Sequence, residues 1–267
     1  MRPLGVVGPD EERARLIERL LDRLDGPVAV VRRPETSDDR PPTAPPTGAA
    51  TAHVLAEDGV WTAAGRDRSV GDLLADLAVD HEYALLSGLP AADVPQVALG
   101  DADPQGEVLV AADGAAGVDG DAVVAALHDR DPFETLSSLI AAAKDSPKAP
   151  RSGAVATFTG RVRAKDGPDD DPTEYLEFER YDEVAAERMD RIEGELCERE
   201  GVHEVLLHHR TGVIEYGEDI VFVVVLAGHR EEAFRTVEDG INRLKDEVPL
   251  FKREVTVDEE FWVHDRA

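Results

Sequence analysis

The first thirty residues read as strand, helix, strand, and that order restricts the fold more than any other feature of the chain. Residues 4–7 are apolar without alternation, as in a strand buried on both faces. A helix follows, with Leu16, Ile17, Leu20, Leu21 and Leu24 along one side. Gly26 and Pro27 end it, and residues 28–31 form a second apolar strand. Two strands with a helix between them predict a βαβ unit, so the first half is expected to be α/β. A helix over 70–77, strands over 83–86, 94–99 and 108–111, and a short helix over 122–128 continue it. Residues 34–50, rich in Pro, Asp and Thr, read as a loop.

The pattern changes near residue 129, where the boundary between domains 1–129 and 130–267 is placed. A helix is expected from 131 to 144, with Pro132 in its first turn. Strands over 154–159 and 175–180, a helix over 183–200, strands over 202–209 and 219–226, a helix over 231–247 and a strand over 253–257 follow. Tyr216-Gly217 between strands suggests an antiparallel hairpin. The second domain is therefore expected to be α+β with an antiparallel sheet.

The chain carries 57 acidic residues and a net charge of −28. Nucleic acid is excluded as a partner, because its phosphates would be repelled. With 24 arginines but five lysines, the composition resembles that of proteins from a salt-loving archaeon, where salt screens self-repulsion. The acidity is read as habitat. One cysteine, Cys197, excludes an internal disulfide. The longest apolar run, 220–227, falls well short of the roughly 20 residues of a membrane helix. With no signal peptide at the start, a soluble, cytoplasmic protein is expected.

Gly5-Val6-Val7-Gly8 before a helix resembles the opening of a phosphate-binding loop. The loop lysine and its hydroxyl neighbour are missing, and Pro9, Asp10, Glu11 and Glu12 stand there instead. The stretches 5–33, GAA (48–50), YALLSG (83–88) and VPQV (94–97) are similar to the molybdopterin-guanine dinucleotide biosynthesis adapter protein B. The resemblance implies a degenerate, P-loop-like nucleotide-binding domain. Ser87 stands where that family's strand ends in an acid.

Six blocks from 153 to 266 resemble the large, catalytic subunit of molybdopterin synthase: GAVATFTGRVR (153–163), LEFERY (176–181), HRTGVIEYGE (209–218), GHREEAF (228–234), LKDEVPLFKRE (244–254) and WVHDR (262–266). Phe251 stands where the family usually has Trp. The resemblance implies a sulfurtransferase that builds the dithiolene of molybdopterin on a cyclic pyranopterin monophosphate. Sulfur arrives as a thiocarboxylate on a small ubiquitin-like subunit. The resemblance further implies a homodimer of large subunits with a small subunit at each end, and no cofactor or metal.

Two of the five lysines, Lys245 and Lys252, lie seven residues apart astride Pro249, shortly after His229-Arg230. The resemblance makes Lys245 and Lys252 the catalytic candidates and Arg163, His229, Arg230 and Arg266 the anion-binding ones. A phosphate and a thiocarboxylate sharing a site need cations around them. Lysine, unlike arginine, also has a proton that a site can draw on. Arg230 at the start of a helix fits an anion held against that end. These positions are expected to converge. His209-Arg210 reads as a structural turn, and Cys197 as a small buried hydrophobe. The rival readings are an inactive docking module, against which the two lysines speak, and a P-loop nucleotidase, against which the missing loop lysine speaks.

Overall fold

The computed structural model describes residues 1–33, 49–165, 167, 171–256 and 260–263. The chain divides into two compact units, Met1–Glu134 and Thr135–Ala267.

The first unit is built on β1 (Arg2–Val7), β2 (Val28–Arg32), β5 (Tyr83–Ser87), β6 (Gln96–Leu99) and β7 (Val108–Ala112). They pair in the order β2-β5-β1-β6-β7, every pair parallel. Helices α1 (Asp10–Leu21) and α3 (Gly120–His128) cover one face, with Leu16, Ile17, Leu20, Val123 and Leu127 packed on Leu4, Val6 and Leu85. Helix α2 (Val70–Leu77) covers the other, with Leu74 against Ala84 and Leu86. Burial on both faces is why the central strands β5, β1 and β6 lack polar alternation. A hairpin of β3 (Thr51–Leu55) and β4 (Trp61–Gly65) stands apart as a two-stranded sheet. The sequence reading missed it; of the loop expected over 34–50, residues 34–48 lie outside the described residues.

The expected phosphate loop is filled from within. Buried Arg13 donates to the Gly8 carbonyl, to Asp10 Oδ1 at 2.9 Å and to Ser87 Oγ at 3.2 Å. Pro9 at the helix N-cap contributes no N–H. A phosphate cradle needs inward-pointing N–H groups, and here a carbonyl points at a guanidinium.

The second unit has two antiparallel sheets. The first is ordered β10 (Val202–His209), β12 (Asp219–Ala227), β8 (Ala154–Arg161). The second is ordered β11 (Gly212–Glu215), β9 (Thr173–Arg180), β13 (Leu250–Thr256), β14 (Glu260–Val263). The strands β10 and β12 pair antiparallel, but the segment between them forms β11, which pairs with β9 in the second sheet. Helices α5 (Asp182–Cys197) and α6 (Arg230–Glu247) bury Ile192, Leu196, Val237, Ile241 and Leu244 against Val221, Val223 and Val225. Helix α4 (Leu136–Lys144) sets Leu139 and Ala143 on the other face, against Phe222, Val224 and Leu226. Thus β12 is apolar at every position from Ile220 because both its faces are covered.

The helix expected from 131 begins only at Leu136. Thr135 caps it, its hydroxyl accepting the Ser138 N–H while the Ser138 side chain returns the bond. That reciprocal cap outcompetes the weaker start signal at Pro132. Among the described residues no helix is long and apolar enough to cross a membrane.

Candidate active site

The geometry of the second unit sorts the candidate residues by the end of the sheet at which they lie. In the β8–β12 ladder Arg161 faces Asp219 at one end and Ala154 faces Ala227 at the other. Arg163 lies just past Arg161. Gly228, His229 and Arg230 lie just past Ala227. Helix α6 then runs back along the sheet, its Gly240 resting near Val223. Its last turn carries Lys245 back toward the Asp219 end.

Lys252 belongs to the same end. It faces Phe178 across the β9–β13 ladder, and the Phe178 ring meets His209 edge-on at 4.8 Å. His209 pairs with Val221, two residues from Asp219. Side chains alternate along a strand, so Lys252 shares its face of the sheet with Phe178 and Glu254, whereas Phe251 and Arg253 point to the other face. Lys252 Nζ lies 4.0 Å from Glu254 Oε2. Lys245, Lys252 and Arg163 are therefore gathered at one end, and His229 and Arg230 are held at the other. The convergence of all of them is not made within one copy of the chain, because Arg230 and Lys245 lie at opposite ends of the 18-residue helix α6. Arg266 lies outside the described residues.

The Arg230 end is tightly built. A Cβ on Gly153 would come within 2.7 Å of the Gly228 carbonyl, and the Gly228 N–H donates to Gly201 O at 2.8 Å. His229 is the N-cap of α6 in extended conformation and makes no side-chain cap. Glu231 and Glu232 in the first turn already complement the positive helix end. An anion here would thus be held chiefly by the His229 and Arg230 side chains.

Among the described residues His229, Arg230 and Lys245 have no hydrogen-bonded or ion-paired side-chain partner, and all three are exposed. Arg235 on α6 and Arg188 on α5 are likewise without a partner among the described residues, but four other arginines of this unit are paired. Arg243 pairs with Glu195 and Glu247, Arg191 with Glu247, Arg199 with Asp239, and Arg253 with Glu177.

Arg180 escaped the sequence reading. Its side chain is only 3% exposed; it donates to the His209 carbonyl at 3.3 Å and pairs with Asp182 at 2.9 Å. The signal was its place inside the LEFERY block, two residues before Asp182. Arg210 donates to the Asp219 carbonyl at 2.9 Å, pinning the turn where β10 ends. His208 and His209 are both pushed down to about 4, first by burial; Arg180 adds to both, and Arg210 to His208. Neutral and enclosed, they are poor anion ligands. Phe234 is 66% exposed, and the buried stripe of α6 runs through Ala233, Val237, Ile241 and Leu244. The Cys197 thiol is half-buried, and burial pushes its pKa up, away from nucleophilic use.

Residues 124–247 match the family described as "MoaE protein". Over all 267 residues, and over the whole of the relative, the chain is 53% identical to a "Probable molybdopterin synthase" of Haloferax volcanii. The chain belongs to the molybdopterin synthase family. It is 40% identical over 112 residues to the "Molybdopterin synthase catalytic subunit" of Pyrococcus abyssi, covering 42% of this chain and 74% of that one. The crystal structure of molybdopterin synthase from Staphylococcus aureus shares 30% identity, with 51% of this chain and 93% of that one covered, at a TM-score of 0.44. The chain has the role of the synthase's large subunit, a sulfur-transferring enzyme of molybdenum-cofactor biosynthesis. The Haloferax relative agrees with the salt-adapted reading of the acidity.

Proposed function

We propose that Lys245 and Lys252 carry the sulfur transfer, with Arg163 beside them binding the substrate phosphate or the partner's tail. The reading is carried by one observation. In a chain with 57 acidic residues, Lys245, His229 and Arg230 stand unpaired among the described residues, as does Arg235, while Arg243 on the same helix and Arg253 on β13 are paired. An unpaired cation in such surroundings is explained by an anion that comes and goes. His229 and Arg230 belong to the same anion site but enter it from a second copy, since α6 holds them far from their own Lys245. A homodimer is the smallest assembly that brings the two ends together.

The sulfur donor is a thiocarboxylated small ubiquitin-like subunit, and the acceptor is cyclic pyranopterin monophosphate. We assign 130–267 to the synthase domain and 1–129 to a degenerate, adapter-like domain of P-loop ancestry. Its parallel sheet and its Gly5–Gly8 loop support that origin, and the Arg13 plug argues that it holds no nucleotide. The protein acts in the cytoplasm. The decisive experiment supplies the pyranopterin precursor and a thiocarboxylated small partner, and measures molybdopterin. Product formed at a rate proportional to enzyme is expected; no product above the uncatalysed level overturns the reading.

A further inference from the structure

We infer that Glu254 is a positioning residue for Lys252 and is itself fixed by Thr173. This rests on the assignment of Lys252 to the sulfur-transfer site. Lys252 and Glu254 are two residues apart on β13, so they project from the same face of the sheet. Their side chains are 27% and 22% exposed, which withdraws the pair partly from water. The two carboxylate oxygens have separate tasks. Oε2 faces the Lys252 amine, and Oε1 accepts the hydrogen bond of the Thr173 hydroxyl.

Thr173 is a fixed point. It is 6% exposed, and its N–H donates to the Ala164 carbonyl at 2.8 Å. Ala164 directly follows Arg163 in the chain. In the ladder Thr173 stands opposite Thr256, not Glu254, and the register shifts between Val255 and Thr256. Such an irregularity turns a side chain away from its direct neighbour, here letting the hydroxyl reach diagonally to Glu254. A polar thread thus runs from Ala164, the residue after Arg163, through Thr173 and Glu254 to the Lys252 amine. On the opposite face Arg253 and Glu177 make a close pair that consumes both groups. The Lys252–Glu254 pair is looser, so the amine is aimed and still free to donate to a ligand. A lysine stem alone has four rotatable bonds; a fixed carboxylate restricts where its charge can stand.

The test uses the full chain with E254Q, E254D, T173V and T173S. Gln at 254 keeps an acceptor for Thr173 and loses the charge. E254Q is expected to lower kcat by about 10- to 10²-fold with KM within about twofold, the scale of a misplaced reacting group. E254D should recover part of the loss. T173V should lose about threefold to tenfold, and T173S should restore it. A second readout is independent of turnover: the rate of reductive methylation of Lys252, read by peptide mass spectrometry with Lys144 as reference. It should rise several-fold in E254Q while Lys144 is unchanged. Wild-type turnover in E254Q, or unchanged methylation of Lys252, overturns the inference. A wild-type chain that makes no product refutes the sulfur-transfer reading instead. The methylation result then still reports the contact.

Discussion

Arg230 and Lys245 stand at opposite ends of one helix, fifteen residues and therefore about 22 Å apart along its axis. No side-chain motion closes that gap, so two ends that serve one anion must come from two copies of the chain. Two separately inactive variants, K252A and R230A, are expected to complement each other. Co-expressed or refolded together at equal amounts, they should restore about a quarter of wild-type activity, because half the dimers are mixed and each holds one intact site. Failure of the mixture to exceed either parent would show that the two ends do not serve one shared site.

Replacing Lys252 or Lys245 by Ala should lower molybdopterin formation at least ~10²-fold. Thermal stability should hardly move, because Lys245 is exposed and the half-buried Lys252 makes only a loose ion pair, 4.0 Å from Glu254. Leu244→Ala is the control with the opposite signature. Leu244 is 1% exposed in the core of the second unit, so its truncation should cost about 2–5 kcal/mol. Near wild-type turnover in both lysine variants would remove the lysines from the mechanism.

The first unit is expected neither to bind nor to hydrolyse ATP or GTP. Arg13 occupies the loop, and Pro9 lacks the N–H a phosphate would use. The fragment 130–267 alone should retain synthase activity. Calorimetry with nucleotide and an assay of the fragment check the two halves of this claim; micromolar nucleotide binding or an inert, folded fragment would contradict it.

Stability should depend on pH through two opposing groups. Burial pushes Glu193 up to about 7, with Asp190 and Glu204 adding to the effect, although its carboxylate accepts the Leu207 N–H at 2.6 Å. A carboxyl whose folded pKa is raised resists ionising, so its contribution is lost as pH rises from about 4.5 to 7. His208 and His209 are depressed to about 4, so their contribution is present above 6.5 and lost as pH falls toward 4. Glu193→Gln should flatten the loss between pH 5 and 7.5 without altering the acid limb. Urea melts across that range measure it, and an unchanged profile would show that Glu193 ionises freely.

Activity should rise from low to high salt. At −28 the chain repels both an anionic substrate and an anionic tail at long range, and screening removes that repulsion while close contacts persist. Initial rates in potassium chloride series are the measurement; a steady fall with salt would mean that attraction at long range dominates.

Much of this protein is legible in its sequence because the determining forces are local. Unbroken apolar runs such as 220–227 and the stripe through Val237, Ile241 and Leu244 set strands and helices whatever lies beside them. The blocks around Arg163, His229, Lys245 and Lys252 carried the family assignment for the same reason: they are contiguous. The tertiary structure alone decided which of these cations share an end of the sheet. That depends on the antiparallel β8–β12 register and on the way α6 packs back along the sheet, and neither is visible in residue spacing. It also decided that β11 leaves β12 for the other sheet, that the Arg180 side chain is buried, and that Arg13 fills the loop after β1. Each of these follows from a partner distant in sequence, the Arg13 plug through Ser87 and the Arg180 site through His209. A polar side chain is identified by what it meets, and only the folded chain brings those partners within hydrogen-bond reach.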